Sequence, residues 1–254
     1  MTGAPARLCL SLALPLAVLA LWEGAAEAGA LNAFLLPGPG AVLAAVAELA
    51  RTGTLARDAA ASFSRVMMGF ALSTALAVPT AIALVRWRVA SDLLRVPLNF
   101  LRATPPLALL PLLVLWFGIG EAAKWIVVVL ASFFPILLNT VAGLRGVAPQ
   151  HLELARALEL TRAETVRFIV VPSALPVFVA GLRLGFGYCW RAMVGAELIA
   201  TSVGLGFRIM DAQSIARVDV VYAGILVLGT LGFLADQIFL LAARRLCGGV
   251  HVGE

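Results

Sequence analysis

The sequence predicts an all-α membrane protein of about six transmembrane helices. Three observations predict it. Of its 254 residues, 62% are apolar and only 13% are charged, whereas an ordinary soluble domain carries about 25% charged residues. The mean hydropathy of +1.01 extends along most of the chain instead of being confined to one end. The apolar runs recur at lengths close to the about 20 residues that a helix needs to cross a hydrocarbon core. Together these features exclude a disordered chain, a coiled coil and a cytosolic enzyme.

The first apolar run, Leu8 to Trp22, follows Arg7 and dominates an N-terminal segment over residues 1–35. It reads as a membrane helix. The same run followed by Ala26-Glu27-Ala28 also fits a cleavable signal peptide, and either reading leaves the next segment on the outer side. The second run, from Val66 to Val85, is bounded by Arg65 and Arg86. The third lies between Arg102 and Glu121, and the fourth between Lys124 and Arg145. The fifth is longer and interrupted, from Ser173 to Val203. The sixth runs from Val220 to Ala243, closed by Arg244 and Arg245 at the head of a tail over residues 244–254. Pro79, Pro105, Pro106, Pro111 and Pro135 fall within or at the edges of these runs. Each removes a backbone hydrogen bond, which is tolerated at membrane depth only where protein or a cavity receives the freed group. Gly181 and Gly185 form a small-xxx-small step suited to close helix contact.

An even number of spans puts both ends on one side, and arginine placement says which. The segments that share a side with the termini carry Arg7, then Arg86, Arg88, Arg95 and Arg102, then Arg145, Arg156, Arg162 and Arg167, then Arg244 and Arg245. On the opposite side Arg51, Arg57, Lys124, Arg208 and Arg217 meet Glu23, Glu27, Glu48, Asp58, Glu121, Asp211 and Asp219. The positive-inside rule therefore predicts cytoplasmic termini. The formal charge of +5 is an orientation signal, because no basic stripe with interleaved aromatics marks a nucleic-acid surface.

Residue chemistry removes most catalytic readings. Cys9, Cys189 and Cys247 are too dispersed for a zinc site or a disulfide framework, and His151 and His251 are the only histidines. The single lysine, Lys124, follows Ala123, so no phosphate-binding Gly-Lys-Ser/Thr loop exists. The chain is expected to hydrolyse no ATP itself and to hold neither cofactor nor metal.

Between Arg145 and Pro172 the chain leaves the membrane yet keeps a helical pattern. Pro149 suits the first turn of a helix, although Ala148 before it is a poor cap. Thr161-Arg-Ala-Glu164 forms a capping box that starts a second helix, with the chain turning at Glu159-Leu160. Two short amphipathic helices joined by a bend would make a compact knob on the cytoplasmic face.

Here the sequence resembles a family. Glu153-Leu154-Ala155, three residues, Glu159, nine residues, then Ile169-Val170-Val171-Pro172 is similar to the "EAA" signature of ATP-binding-cassette importer permeases. That signature reads Glu-Ala-Ala, three residues, Gly, nine residues, Ile-x-Leu-Pro. The spacing is met, while Leu154, Glu159 and Val171 replace Ala, Gly and Leu. A residue with a Cβ at the glycine position costs about 1 kcal/mol or more if the bend needs positive φ. Leu36-Pro-Gly-Pro39, Phe100-Leu-Arg-Ala-Thr-Pro-Pro-Leu-Ala-Leu109, Leu115-Trp-Phe-Gly-Ile-Gly-Glu121, Phe133-Phe-Pro-Ile-Leu-Leu-Asn-Thr140, Trp190-Arg-Ala-Met-Val-Gly-Ala-Glu197 and Ser202-Val-Gly-Leu-Gly206 look like the nitrate/sulfonate/taurine-type branch. The resemblance implies a type I importer-permease bundle over residues 36–243, with an ATPase-coupling loop at 145–172. It also implies a second copy of the chain, two separate ATPase subunits and a periplasmic or extracellular solute-binding protein. The expected setting is a bacterial inner membrane. The coupling residues carried over are Glu153, Leu154, Ala155, Glu159, Ile169, Val171 and Pro172.

Ionisable residues inside the apolar runs are the remaining candidates. Arg183, Arg191 and Glu197 lie in the fifth run and Asp236 in the sixth, and such groups usually face the bundle interior or a cavity. Arg191 and Glu197 are separated by about 240° around a helix, so they are not a same-face pair. Both are candidates for a substrate path, Arg191 because a guanidinium presents a planar fork to an anion. An ion-coupled secondary carrier is the alternative, with Glu197 and Asp236 as its proton carriers. It would leave the knob unexplained.

Overall fold

Apolar runs in this chain close their backbone hydrogen bonds locally, and single prolines such as Pro79, Pro135 and Pro176 lie within continuous helices, whereas the Pro105-Pro106 pair and left-handed residues end them. The computed structural model describes residues 4–199 and 201–246. Its elements are α1 (Ala4–Glu27), α2 (Pro39–Arg51), α3 (Thr54–Arg86), α4 (Arg88–Ala103), a 3₁₀ turn (Pro106–Leu109), α5 (Leu110–Phe117) and α6 (Glu121–Arg145). There follow α7 (Pro149–Ala157), α8 (Arg162–Thr165), a π-helical turn (Val166–Val170), α9 (Val171–Ile199), α10 (Leu205–Ser214) and α11 (Val218–Leu246). Among the described residues every element is helical.

Among the described residues, length and composition qualify four helices to cross a membrane: Thr54–Arg86, Glu121–Arg145, the continuous helix Arg162–Ile199 and Val218–Ala243. A fifth span results if α4 and Pro106–Phe117 are counted together, but those two segments meet at an 87° bend. The third run expected between Arg102 and Glu121 is thus broken. Thr104 (ψ 122°) and Pro105 (ψ 123°) are extended, because each precedes a proline ring that disfavours the helical region. The second run also starts earlier than expected, at Thr54, so Arg65 lies inside α3 and not at its edge. The first run lies within α1. Helices α2, α4 and α10 occupy segments that were read only as connections. Of the expected tail, residues 247–254 lie outside the described residues, as does Ala200 near the end of the fifth run.

The chain divides into two compact units. One comprises Met1–Ala60 with Val203–Gly229, and the other Ala61–Ser202 with Thr230–Glu254. In the first, Val42 and Ala45 of α2 pack against Ala212 of α10 and Val220 and Ala223 of α11, with Trp22 tilted against Tyr222 at 6.1 Å. Its charges are paired internally. Asp58, 1% exposed, accepts from Arg208 Nε at 2.9 Å, and Arg217 donates to Asp219 at 2.8 Å and Glu48 at 3.1 Å.

In the second unit the antiparallel contact of α6 with α9 forms the backbone of the core. A Cβ at Gly181 would collide with Asn139, and one at Gly185 would lie 2.6 Å from Ile136. The small-xxx-small step is therefore a real close approach, in which the lost side-chain volume lets two helices pack directly. Gly69 brings α3 equally close to Val128 of α6. Phe70, Phe186 and Phe239 add an aromatic cluster, with Phe70 edge-on to Phe186 at 5.6 Å.

Polar ties hold the same helices. Arg65, 9% exposed, donates through Nη1 to Glu197 at 2.6 Å and through Nε and Nη2 to Glu121 at 2.7 and 2.9 Å. Ser62 donates to both oxygens of Glu197, and Lys124 bridges Glu121 at 2.6 Å to Thr201 at 3.2 Å. Two cations and two carboxylates thus balance across α3, α6 and α9. Further along α9, Arg183 makes a two-bond fork with Asp236 of α11, each bond 2.9 Å.

Because Glu197 is buried and paired, truncating it leaves part of a buried guanidinium uncompensated. Glu197→Ala is expected to destabilise the protein by about 3–5 kcal/mol. Glu197→Gln, which keeps acceptors for Ser62 and Arg65, should cost less. Thermal unfolding in neutral detergent, followed by tryptophan fluorescence, measures both. Unfolding of the alanine variant at the wild-type temperature would refute the tie.

Candidate functional site

The site is built on the segment joining α6 to α9, and its shape follows from local sequence. Helix α7 begins at Pro149, whose missing N–H would have had no helical partner in any case, and Ala148 supplies no side-chain cap. At its other end the chain turns through Glu159, which takes φ 51°. The Leu160 amide bonds the Ala155 carbonyl and the Glu159 amide bonds the Arg156 carbonyl, both at 3.0 Å. This is the two-bond helix stop in which a left-handed residue satisfies the last carbonyls. Glycine normally fills that position, and glutamate occupies it here against its steric preference.

Two residues later the chain re-enters a helix. The Glu164 amide bonds Thr161 Oγ1 at 3.3 Å, and the Thr161 amide returns a bond to Glu164 Oε2 at 2.8 Å. Both halves of the capping box are therefore made. Hydrogen bonds from the Thr161 hydroxyl, and then from its amide, hold the Glu164 carboxyl below the usual carboxylate range. The second knob helix is not a separate short element as expected. It runs without interruption from Arg162 to Ile199, taking Pro172 and Pro176 inside it. The only irregularity is the π turn at Val166–Val170, and such single turns often mark functional positions within helices.

The carried-over residues divide by burial. Ala155 is buried where α7 folds back, so its small side chain is a packing requirement. Glu153, Leu154, Glu159, Val171 and Pro172 are exposed and Ile169 is half-buried. Leu154 and Leu158 are 52% and 60% exposed and lie one turn apart on one face of α7. Val166 and Phe168 add further exposed apolar surface. A structured loop with outward leucines, flanked by Glu153 and Arg156, presents a surface suited to docking.

The two residues considered for a substrate path are separated by the structure. Glu197 is 1% exposed and bound by Ser62 and Arg65. Arg191, six residues earlier, is exposed on another face of α9, with its guanidinium 5.4 Å from the Tyr188 ring. Among the described residues no carboxylate pairs with it. Arg183 and Asp236, weighed separately in the sequence, form one ion pair. Sequence reasoning missed the partners of Glu197 because Arg65 was taken as the edge of a span. The available signal was the i,i+3 spacing of Ser62 and Arg65, which puts both on one face of α3.

Residues 69–247 match the family described as binding-protein-dependent transport system inner membrane component. The taurine transport system permease protein of Escherichia coli is 34% identical, over 94% of this chain and 89% of its own length. The bicarbonate transport system permease protein of Synechococcus elongatus is 30% identical, over 70% of this chain and 64% of its own. A crystal structure of an amino acid ABC transporter shares the fold, with a TM-score of 0.64 at 16% identity over 79% of this chain and 96% of that one. The chain thus belongs to the binding-protein-dependent transport system inner membrane components and is a multi-pass permease subunit of an ABC transporter.

Proposed function

We propose that this permease forms the path of an ATP-driven importer for a small anion, in the class of nitrate, sulfonates, taurine and bicarbonate. Relatives named for taurine and bicarbonate, whose groups are a sulfonate and a carbonate oxyanion, support that class. The guanidinium of Arg191, which no carboxylate pairs among the described residues, would supply the matching chemistry within the permease domain over residues 36–243. Two copies of the chain would enclose a shared path on their two-fold axis. Two separate ATPase subunits and a periplasmic or extracellular binding protein complete the assembly. Both termini lie in the cytoplasm of the bacterial cell, on the side to which the arginine distribution assigns the loop at 145–172.

The observation that carries the reading is the exposed two-armed loop with its left-handed corner at Glu159. ATP-driven closure of the partner subunits would move α7, and the helix that starts at Arg162 would carry the motion to the membrane. Transport per ATP, measured in vesicles containing the full transporter and its binding protein, tests this. Glu159→Gly should relieve about 1 kcal/mol of backbone strain and keep coupling intact. Glu159→Pro fixes φ negative and removes the bond to Arg156, so hydrolysis should continue while transport per ATP falls. Glu153→Arg reverses charge beside the outward leucines and should have the same effect. A glycine variant as uncoupled as the proline variant would show that the glutamate side chain itself contacts the ATPase.

For Arg191 the expected outcome is loss of uptake in Arg191→Ala with assembly and basal hydrolysis retained. Arg191→Lys should restore only part, since an ammonium lacks the planar fork. Failure of the alanine variant to assemble would assign the residue a structural role instead.

A further inference from the structure

The second unit carries a basic cleft that the transport reading does not use. It lies between α4 and the ends of α3 and α6, has a volume of about 160 Å³, and is lined by Ser91, Arg95, Asn99, Arg102 and Arg145 with Phe134 and leucines behind them. The three arginines come from two helices. Among the described residues none of them has a carboxylate partner, which sets them apart from Arg65, Arg183, Arg208 and Arg217. Arg145 is anchored by a bond from Nη2 to the Leu84 carbonyl at 3.5 Å, leaving its other donors for the cleft. A space of this volume exceeds that of several water molecules at about 30 Å³ each.

The composition of α4 explains why the arginines converge. Ser91, Arg95, Leu98, Asn99 and Arg102 lie at helical spacing on one face. Val89, Leu93, Val96 and Phe100 form the opposite face and are 77%, 73%, 74% and 71% exposed. The helix therefore faces the cleft with its polar side, Arg95, Asn99 and Arg102 remaining exposed there, while its apolar side is exposed on the opposite face. That polarity suits a helix at the boundary of apolar and aqueous phases.

We propose that this cleft binds a phosphate-class oxyanion, with Arg95, Arg102 and Arg145 as its cationic ligands and Ser91 and Asn99 as neutral donors. Planar guanidiniums match tetrahedral oxyanions through paired N–H donors. The anion has two sources, the headgroup of an acidic phospholipid or free phosphate. Basic pockets between membrane helices take such headgroups, and the leucines and Phe134 behind the arginines offer an apolar wall to an attached chain. Placing this end in the cytoplasm rests on the topology proposed above, but the binding itself does not.

Native mass spectrometry of the full chain in neutral detergent, titrated with phosphatidylglycerol or phosphatidylcholine of equal chain length, tests the proposal. Inorganic phosphate is titrated separately and as a competitor. Wild type should take one phosphatidylglycerol ahead of phosphatidylcholine. Arg95→Ala/Arg102→Ala should weaken that preference by about tenfold or more. Ser91→Glu, which places a carboxylate in the cleft and removes no arginine, should do the same, with folding checked by thermal unfolding. Retention of the lipid against millimolar phosphate identifies the headgroup as the source. Binding and displacement by phosphate identify the free anion. Equal uptake of both lipids without phosphate binding, or a preference unchanged in both folded variants, would overturn the site.

Discussion

Arg65 is a full positive charge in a helix that must otherwise satisfy an apolar surrounding, and the second unit is organised around compensating it. A buried guanidinium is tolerated only when its donors are met by acceptors in good geometry. Here Glu197 takes one Nη donor and Glu121 takes the Nε and the other Nη. Each carboxylate then needs further partners, and Ser62 and Lys124 provide them. Three helices must converge within hydrogen-bond reach for this to close. Gly69 and Gly185 make the approach possible by presenting no side chain at the crossing points.

One continuous helix links that tie to the turn at Glu159 and the capping box. From Arg162 to Ile199 it contains 38 residues, about 57 Å at 1.5 Å per residue. The capping box starts it, the π turn interrupts its regular bonding near the loop, Arg183 ties its middle to α11, and Glu197 anchors its far end. The helix is thus tied at its loop end, its middle and its far end. Arg191 lies between the two ties and belongs to neither, on an exposed face of the same helix. The loop-proximal cap and the candidate anion contact are thus parts of one helix.

Features encoded over a few residues were legible in advance. Pro149 as a helix start, the Thr161–Glu164 box and the turn at Glu159-Leu160 depend on backbone groups within one turn of the residues that satisfy them. Their geometry follows once those residues are read. The broken third run was only half legible. Pro105 and Pro106 announce an interruption, but the 87° between the segments depends on what each segment packs against. Helix α4 was missed for a related reason. Its arginines read as a charged connection, and only the structure reveals a helix whose polar side lines a cleft.

By itself, the sequence determined the membrane class, the approximate spans, the side on which arginine accumulates and the local form of the loop at 145–172. Each is set by composition or by contacts within a helical turn. Tertiary structure decided which charges pair: Arg65 with Glu197 across 132 positions, Arg183 with Asp236 across 53, Arg208 with Asp58 across 150. It also decided that Glu197 is enclosed while Arg191 stays open. Ion pairing in an apolar surrounding depends on distance and desolvation in three dimensions, and helical periodicity says which face a residue takes but not which helix meets it.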